Sequence, residues 1–253
     1  MTPEFPSRQP AATGERAPQQ IDDTGRVQPL AALRALKRLV ADPEQTEQVF
    51  VIIRALSGNA LRNAFDRFRT TPVGRRVLAE ELDLMAVLTD REALRQLPSG
   101  SLGRAYLAFV EREQITAEGL AEASAHEAAI TDPELLRFAT RQRDMHDLWH
   151  VITGYGRDSF GEVCLLGFTY AQTRNRGLGV ICLVGSVKTR RALGKGVYRA
   201  VWKAWRAGRR AAWLPEQDWE HLLAQPLAQV RAQLRIDPPQ EYEAVLAGVA
   251  ATA

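Results

Sequence analysis

From Val27 onward the apolar residues recur at helical spacing. Leu30, Leu33, Leu36 and Val40 mark one face, Leu61, Phe65 and Phe68 a second, and Leu102, Tyr106, Phe109 and Val110 a third. Steps of three and four residues are those of an α-helix that turns one side toward a core. Alternation of period two is nowhere sustained, so an all-α chain is predicted. Helix starts are signalled by two S/T-x-x-E boxes, Thr89 with Glu92 and Thr131 with Glu134, and by Pro43 and Pro133 at early helix positions. The stretch LPSGSLG at 97–103 reads as a break between helices. No internal repeat or shift of composition divides the rest, so 27–253 is expected to be a single multi-helix domain. Residues 1–26 are rich in Pro, Gln, Ser and Thr and hold one aromatic, Phe5. Such a segment buries too little to offset its ordering entropy, and a disordered tail is expected.

Composition narrows the class. The 253 residues are 45% hydrophobic and 25% charged, as in ordinary folded proteins. The longest nearly apolar run, Gly177 to Val187, falls short of the roughly 20 residues that span a bilayer as a helix. Cys164 and Cys182 are the only cysteines, and no apolar secretory segment opens the chain, so a reducing compartment is expected. Glu4, Glu15, Asp22 and Asp23 argue against a mitochondrial transit peptide. The expectation is therefore a bacterial cytoplasm.

Charge matters locally more than in total. Net charge is only +3, yet eleven Lys or Arg and no acid lie between Ala171 and Arg210. The segment TRRALGKGVYRAVWKAWRAGRRAAWL reads as one amphipathic helix, with Leu193, Val197, Val201 and Trp205 as its apolar row. Arg191, Lys195, Arg199 and Lys203 form a parallel basic row. A solvated face over a buried stripe is the ordinary explanation. The missing acids and the nearby tryptophans favour docking on an anionic membrane, worth about 1 kcal/mol per basic residue. Nucleic acid ranks below lipid, since no binding motif is present.

The candidate chemistry sits in HDLWH at 146–150, followed after eleven intervening residues by Glu162. One helix is predicted from Thr131 to about Ile152, with Leu135, Phe138, Leu148, Trp149 and Ile152 as its apolar contacts. At about 100° per residue, His146 and His150 lie close together on it and Asp147 falls on their flank. A divalent cation needs ligands converging within about 2.0–2.2 Å, which histidines four apart can supply. The glycines of TGYGRD permit a reversal into a second helix near Ser159, and that αα-hairpin would return Glu162 alongside His150. Alternatively SFGE at 159–162 is another capping box, and the histidines are hydrogen-bonded core residues. Two imidazoles and an aspartate on one face are costly to bury without a shared partner, which favours the metal. H-E-x-x-H peptidases place a glutamate after the first histidine, so Asp147 argues against that class. His126 and His221 read as structural or exposed, Cys164 as a small core residue. The glycines around 177–187 suit tight helix packing better than a bound chain.

These motifs, with LPSGSLGRAYL upstream and GEVCLLGFTYAQTR downstream, resemble the "Coq four" family of ubiquinone-biosynthesis proteins over about Pro29 to Tyr242. The resemblance implies an all-helical protein peripheral on the inner face of the bacterial cytoplasmic membrane, or the matrix side of the inner membrane if mitochondrial. It implies a divalent metal, zinc first, with iron or manganese as alternatives, on His146, Asp147, His150 and Glu162. The implied reaction removes the ring carboxylate of a polyprenyl-hydroxybenzoate and installs a hydroxyl at the same carbon, with those four residues as the catalytic set. The alternative is a non-catalytic scaffold that binds isoprenoid lipid and organises the other ubiquinone-biosynthesis proteins. A homo-oligomer is expected.

Overall fold

The computed structural model describes residues 25–42, 45, 47–115 and 130–251. Almost all of the expected tail, together with Pro43 and His126, lies outside the described residues. Among those described the only regular elements are helical, as predicted. The first seven helices are α1 Pro29–Ala41, α2 Glu47–Ser57, α3 Ala60–Phe68, α4 Pro72–Ala79, α5 Leu84–Thr89, α6 Arg91–Gln96 and α7 Leu102–Arg112. They are followed by α8 Pro133–Asp144, α9 His146–Thr153, α10 Ser159–Thr173, α11 Arg176–Leu193 and α12 Gly196–Arg210. A 3₁₀ turn at Leu214–Glu216 leads to α13 Trp219–Leu222, α14 Leu227–Leu234 and α15 Gln240–Ala250.

The central element is α10, which packs on α11 and α12 and turns Phe160, Cys164 and Phe168 into the main core. Its small residues let neighbours approach closely. A Cβ on Gly161 would fall 2.0 Å from the Gly156 carbonyl, and one on Gly208 of α12 2.5 Å from the Phe168 carbonyl. The break at 97–103 works in the same way. Ser101 caps α7 by accepting from the Arg104 amide, while Leu102 and Gly103 donate their amides to the Gln225 and Leu223 carbonyls. A side chain at Gly103 would collide with Leu97 and crowd that carbonyl.

Four expectations are corrected. The helix predicted from Thr131 to Ile152 is two helices, broken at Met145 (φ −81°, ψ 1°), whose sulfur accepts from Trp219 Nε1 at 3.0 Å. The boxes begun by Thr89 and Thr131 do not form. Asp90 and Asp132, one residue later, cap α6 and α8 instead, because a carboxylate there reaches the free amides of the first turn. The basic amphipathic segment is also two helices, parted at Gly194 (φ +86°), so its rows do not continue across the break. In α1 the buried residues are Ala32 and Ala35, whereas Leu30, Leu33 and Val40 face outward. The small side chains let α1 lie close against α2.

Candidate metal centre

The two helices that carry the centre are joined by a reversal at residues 154–158. Gly154 ends α9 with φ +80°, a left-handed conformation that costs glycine little. Asp158 caps α10 by accepting from the Phe160 and Gly161 amides, both at 3.0 Å. Ser159 is thus inside the helix, and the capping-box reading of SFGE is corrected: Glu162 is not occupied at the helix start.

His146, Asp147 and His150 share one side of α9, with one ligand-type atom from each lying within 4.8 Å of the others. Across the hairpin, Glu162 Oε1 stands 3.4 Å from His150 Nε2, and its Oε2 4.0 Å from His146 Nε2. His146 Nδ1 is 3.2 Å from Asp147 Oδ1. The two imidazoles meet edge to face at 4.8 Å. Their exposures differ in a way that assigns roles: the His146 side chain is 51% exposed, that of His150 0%.

His150 is held from both sides. Its ring stacks on Phe109 of α7 at 5.7 Å. Its Nδ1 lies 2.9 Å from the Tyr155 carbonyl, an oxygen that can only accept, so in the neutral ring Nδ1 carries the proton. That leaves the Nε2 lone pair facing Glu162, buried and without the alignment of a hydrogen bond. A proton on Nε2 can pair with Glu162, but in the neutral ring that buried lone pair meets only a carboxylate and costs free energy unless a cation binds between them. A tetrahedral cation with arms of about 2.1 Å separates adjacent donors by about 3.4 Å, which matches the spacing from Nε2 to Oε1. The donor set therefore fits a divalent cation.

The electrostatics agree with that fit. Burial would lower the pKa of His150, but Glu162 and the Tyr155 carbonyl more than offset it, so the pKa is raised. Burial would raise that of Asp147, but the His146 hydrogen bond and the charges of His146, His150 and Arg157 bring it below its ordinary value. Tyr106, on the Asp147 side, is kept firmly neutral by burial and by the neighbouring carboxylate.

A further layer fixes the hairpin and was not legible in the motif. Arg231 of α14 donates through Nε to the Ile152 carbonyl at 2.9 Å and through Nη2 to that of Val151 at 3.0 Å. Those are last-turn carbonyls of α9, groups that a helix leaves unpaired. Tyr242 of α15 donates to Asp158 Oδ2 at 2.5 Å and accepts from the Gly156 amide at 3.2 Å. One side chain thus steadies the end of the first ligand helix, and the other the cap of the second.

The basic row is divided. Arg191 lines an apolar groove beside α1 and α2, and Lys195 is exposed at the start of α12. Arg199 pairs with Glu241 at 2.9 Å, and Lys203 lines a cavity against α15. Exposed apolar groups gather elsewhere. Leu183 and Val187 of α11, with Tyr198 and Trp202 of α12, border a groove of about 880 Å³, and the Leu183 side is 69% exposed. Arg190 and Arg206 lie over the Tyr198 and Trp202 rings. No described helix is long and apolar enough to cross a membrane. His221 is exposed, and both cysteines are free and buried.

Residues 23–240 match the family described as coenzyme Q (ubiquinone) biosynthesis protein Coq4. Among curated proteins, the chain is 29% identical over 211 residues to the mitochondrial ubiquinone biosynthesis protein COQ4 homolog of Xenopus tropicalis, covering 80% of this chain and 71% of that one. It is 28% identical over 227 residues to the Rattus norvegicus homolog, covering 89% and 84%. A crystal structure of a candidate ubiquinone biosynthesis protein from Nostoc punctiforme superposes with a TM-score of 0.60 at 22% identity, over 83% of this chain and 98% of that one. That likeness shows the same fold.

Proposed function

The chain belongs to the Coq4 family of coenzyme Q (ubiquinone) biosynthesis proteins, and from that premise we propose that it is a metal-dependent oxidative decarboxylase. Its substrate in this reading is a polyprenyl-hydroxybenzoate, whose ring carboxylate leaves as carbon dioxide while a hydroxyl takes the same carbon. The change balances with molecular oxygen, two protons and two electrons from an external reductant consumed and one water released. The observation that carries the reading is the buried Nε2 of His150, fixed through Nδ1, with Glu162 Oε1 3.4 Å away but out of line for a good hydrogen bond.

A divalent cation held there would supply a Lewis acid able to polarise the substrate's carboxylate and phenolate oxygens. His146, Asp147, His150 and Glu162 would hold it; zinc, iron and manganese all accept such a mixed nitrogen and oxygen set. The half-exposed ring of His146 marks the side from which substrate reaches the centre. On the buried side, Phe109 and the un-ionised Tyr106 exclude water behind His150 and Asp147. The lowered pKa of Asp147 keeps its carboxylate charged, so it can hold His146 in orientation through Nδ1.

The test is turnover of a polyprenyl-hydroxybenzoate by the purified, metal-loaded protein under air, with ascorbate as the two-electron donor. Glu162→Ala is expected to lower product formation at least 100-fold with circular dichroism unchanged. Equal turnover by chelator-treated protein would remove the metal from the chemistry.

A second reading, association with a membrane that carries the prenylated substrate, is supported by the apolar groove between α11 and α12. Exposed aromatic and aliphatic groups rimmed by arginines suit a lipid interface. Replacing Leu183 and Trp202 by Glu is expected to abolish co-flotation with vesicles that contain anionic lipid. Unchanged flotation would move the docking surface elsewhere.

A further inference from the structure

A further cavity lies at the far end of α10 from Glu162, eleven residues along the helix and thus about 16 Å away. Its volume is about 530 Å³, within the range of small-ligand sites. It opens between the α2–α3 junction at Leu56 to Ala60, the side of α3 bearing Asn63 and Arg67, and the α10–α11 junction at Gln172 to Arg176. Arg67, Arg174 and Arg176 all line it, and no acid does so among the described residues.

Each arginine is placed there by a distinct local device. The Arg67 guanidinium lies over the Trp213 ring at 3.9 Å, and Glu216, its carboxylate neighbour among the described residues, is 3.7 Å away and outside the lining. Trp213 is in turn fixed by its Nε1, which donates to the Gln172 carbonyl at 3.3 Å. Arg174 ends α10 in the left-handed region, φ +58°, where a side chain with a Cβ is disfavoured by about 1 kcal/mol. Arg176 opens α11, an 18-residue helix with no acid in its first turn. A cation at the positive end of a helix costs a few tenths of a kcal/mol to about 1 kcal/mol. The C-terminal carbonyls of α2 and α10 at the rim offset part of that charge but supply no carboxylate. Among the described residues neither Arg174 nor Arg176 has an ion-pair partner.

We propose that this cavity is a binding site for a phosphate-bearing small molecule. Three guanidinium groups suit an oxyanion carrying two charges, because each presents N–H groups in a plane that matches two oxygens. An amide side chain, Asn59, also lines the cavity, at the Gly25 edge, where a Cβ would strike its oxygen. The site is separate from the metal centre, and the proposal does not depend on the reaction assigned there.

The experiment is calorimetric titration of the full chain, treated with chelator, with inorganic phosphate and diphosphate at low ionic strength. Saturable binding of one equivalent is expected, with diphosphate tighter than phosphate and chloride not competing at equal concentration. Arg174→Asn with Arg176→Gln is expected to weaken it at least tenfold; asparagine accepts the left-handed backbone, so the turn is preserved. Lys195→Gln with Lys203→Gln changes net charge equally and is expected to leave binding unaltered. Equal losses in both pairs, or no saturable binding by the native chain, would overturn the site. So would an affinity at least tenfold higher on replacing Asp22 and Asp23 by Asn, because the chain's own carboxylates would then be its occupants.

Discussion

Replacing His150 by alanine is expected to lower divalent metal affinity more than 100-fold, read by elemental analysis after gel filtration and by competition with a chromophoric chelator. Loss of a residue that merely orients a ligand costs 10- to 100-fold, and His150 offers the donor atom itself. Its ring is buried against Phe109, so some loss of stability accompanies the change. His146→Ala separates the two effects: that ring is half exposed, so metal is lost with the melting temperature nearly unchanged. The pH dependence has a definite sign. In the metal-free protein the raised His150 pKa contributes stability below the ordinary imidazole range, which is lost as pH rises through the folded value. Metal binding runs the other way, because proton and metal compete for Nε2, and affinity is expected to fall about tenfold per pH unit below that value. Affinity independent of pH between 5 and 8 would show that His150 is not a ligand.

The largest effect on stability is expected at Glu220, remote from the metal centre. Arg141 of α8 is 2% exposed and grips the two carboxylate oxygens of Glu220 at 2.6 and 2.8 Å, while Nη2 also reaches the Gln217 carbonyl at 3.3 Å. Glu220→Ala strands a buried cation and should cost about 3 kcal/mol, or a fall of roughly 10 °C in Tm for a chain of this size. Burial alone would raise the Glu220 pKa, but the Arg141 hydrogen bond and charge bring it below its ordinary value. The pair therefore contributes fully above the unfolded carboxylate pKa, and the contribution is lost as pH falls through the folded one. Glu220→Gln should flatten the dependence of stability on pH between about 3 and 5. Thermal unfolding across that range checks both outcomes. A variant as stable as the native protein would mean that Arg141 finds another acceptor.

Helix-forming regions are legible where bulky residues carry the periodicity, as in α3 and α7, whose Phe65, Phe68, Tyr106 and Phe109 are buried as their spacing implies. The reading failed where volume and polarity parted. Leu30, Leu33 and Val40 have helical spacing yet face outward, because the close approach of α2 selects the alanines. Hydrophobic pattern also passes through Met145 and Gly194 without a signal, since the residues on both sides of each break remain apolar on one face. At the first, the Trp219 indole meets the Met145 sulfur, a contact made from 74 residues away.

The positions of His146, Asp147 and His150 on one side of α9 follow from the sequence alone, because residues up to four apart are related by the pitch of a single helix. The helix start near Ser159 also follows, from the glycines of the TGYGRD loop, whereas its Asp158 cap emerged only in the structure. The tertiary structure alone decided that Glu162 faces both rings, that the Tyr155 carbonyl sets the His150 tautomer, and that Arg231 and Tyr242 brace the hairpin from 79 to 86 residues away. It likewise brought Arg67 to the junction that holds Arg174 and Arg176. Local spacing fixes directions within one helix; the distance between two helices is set by the volumes packed between them, and that sum is not written in any one segment.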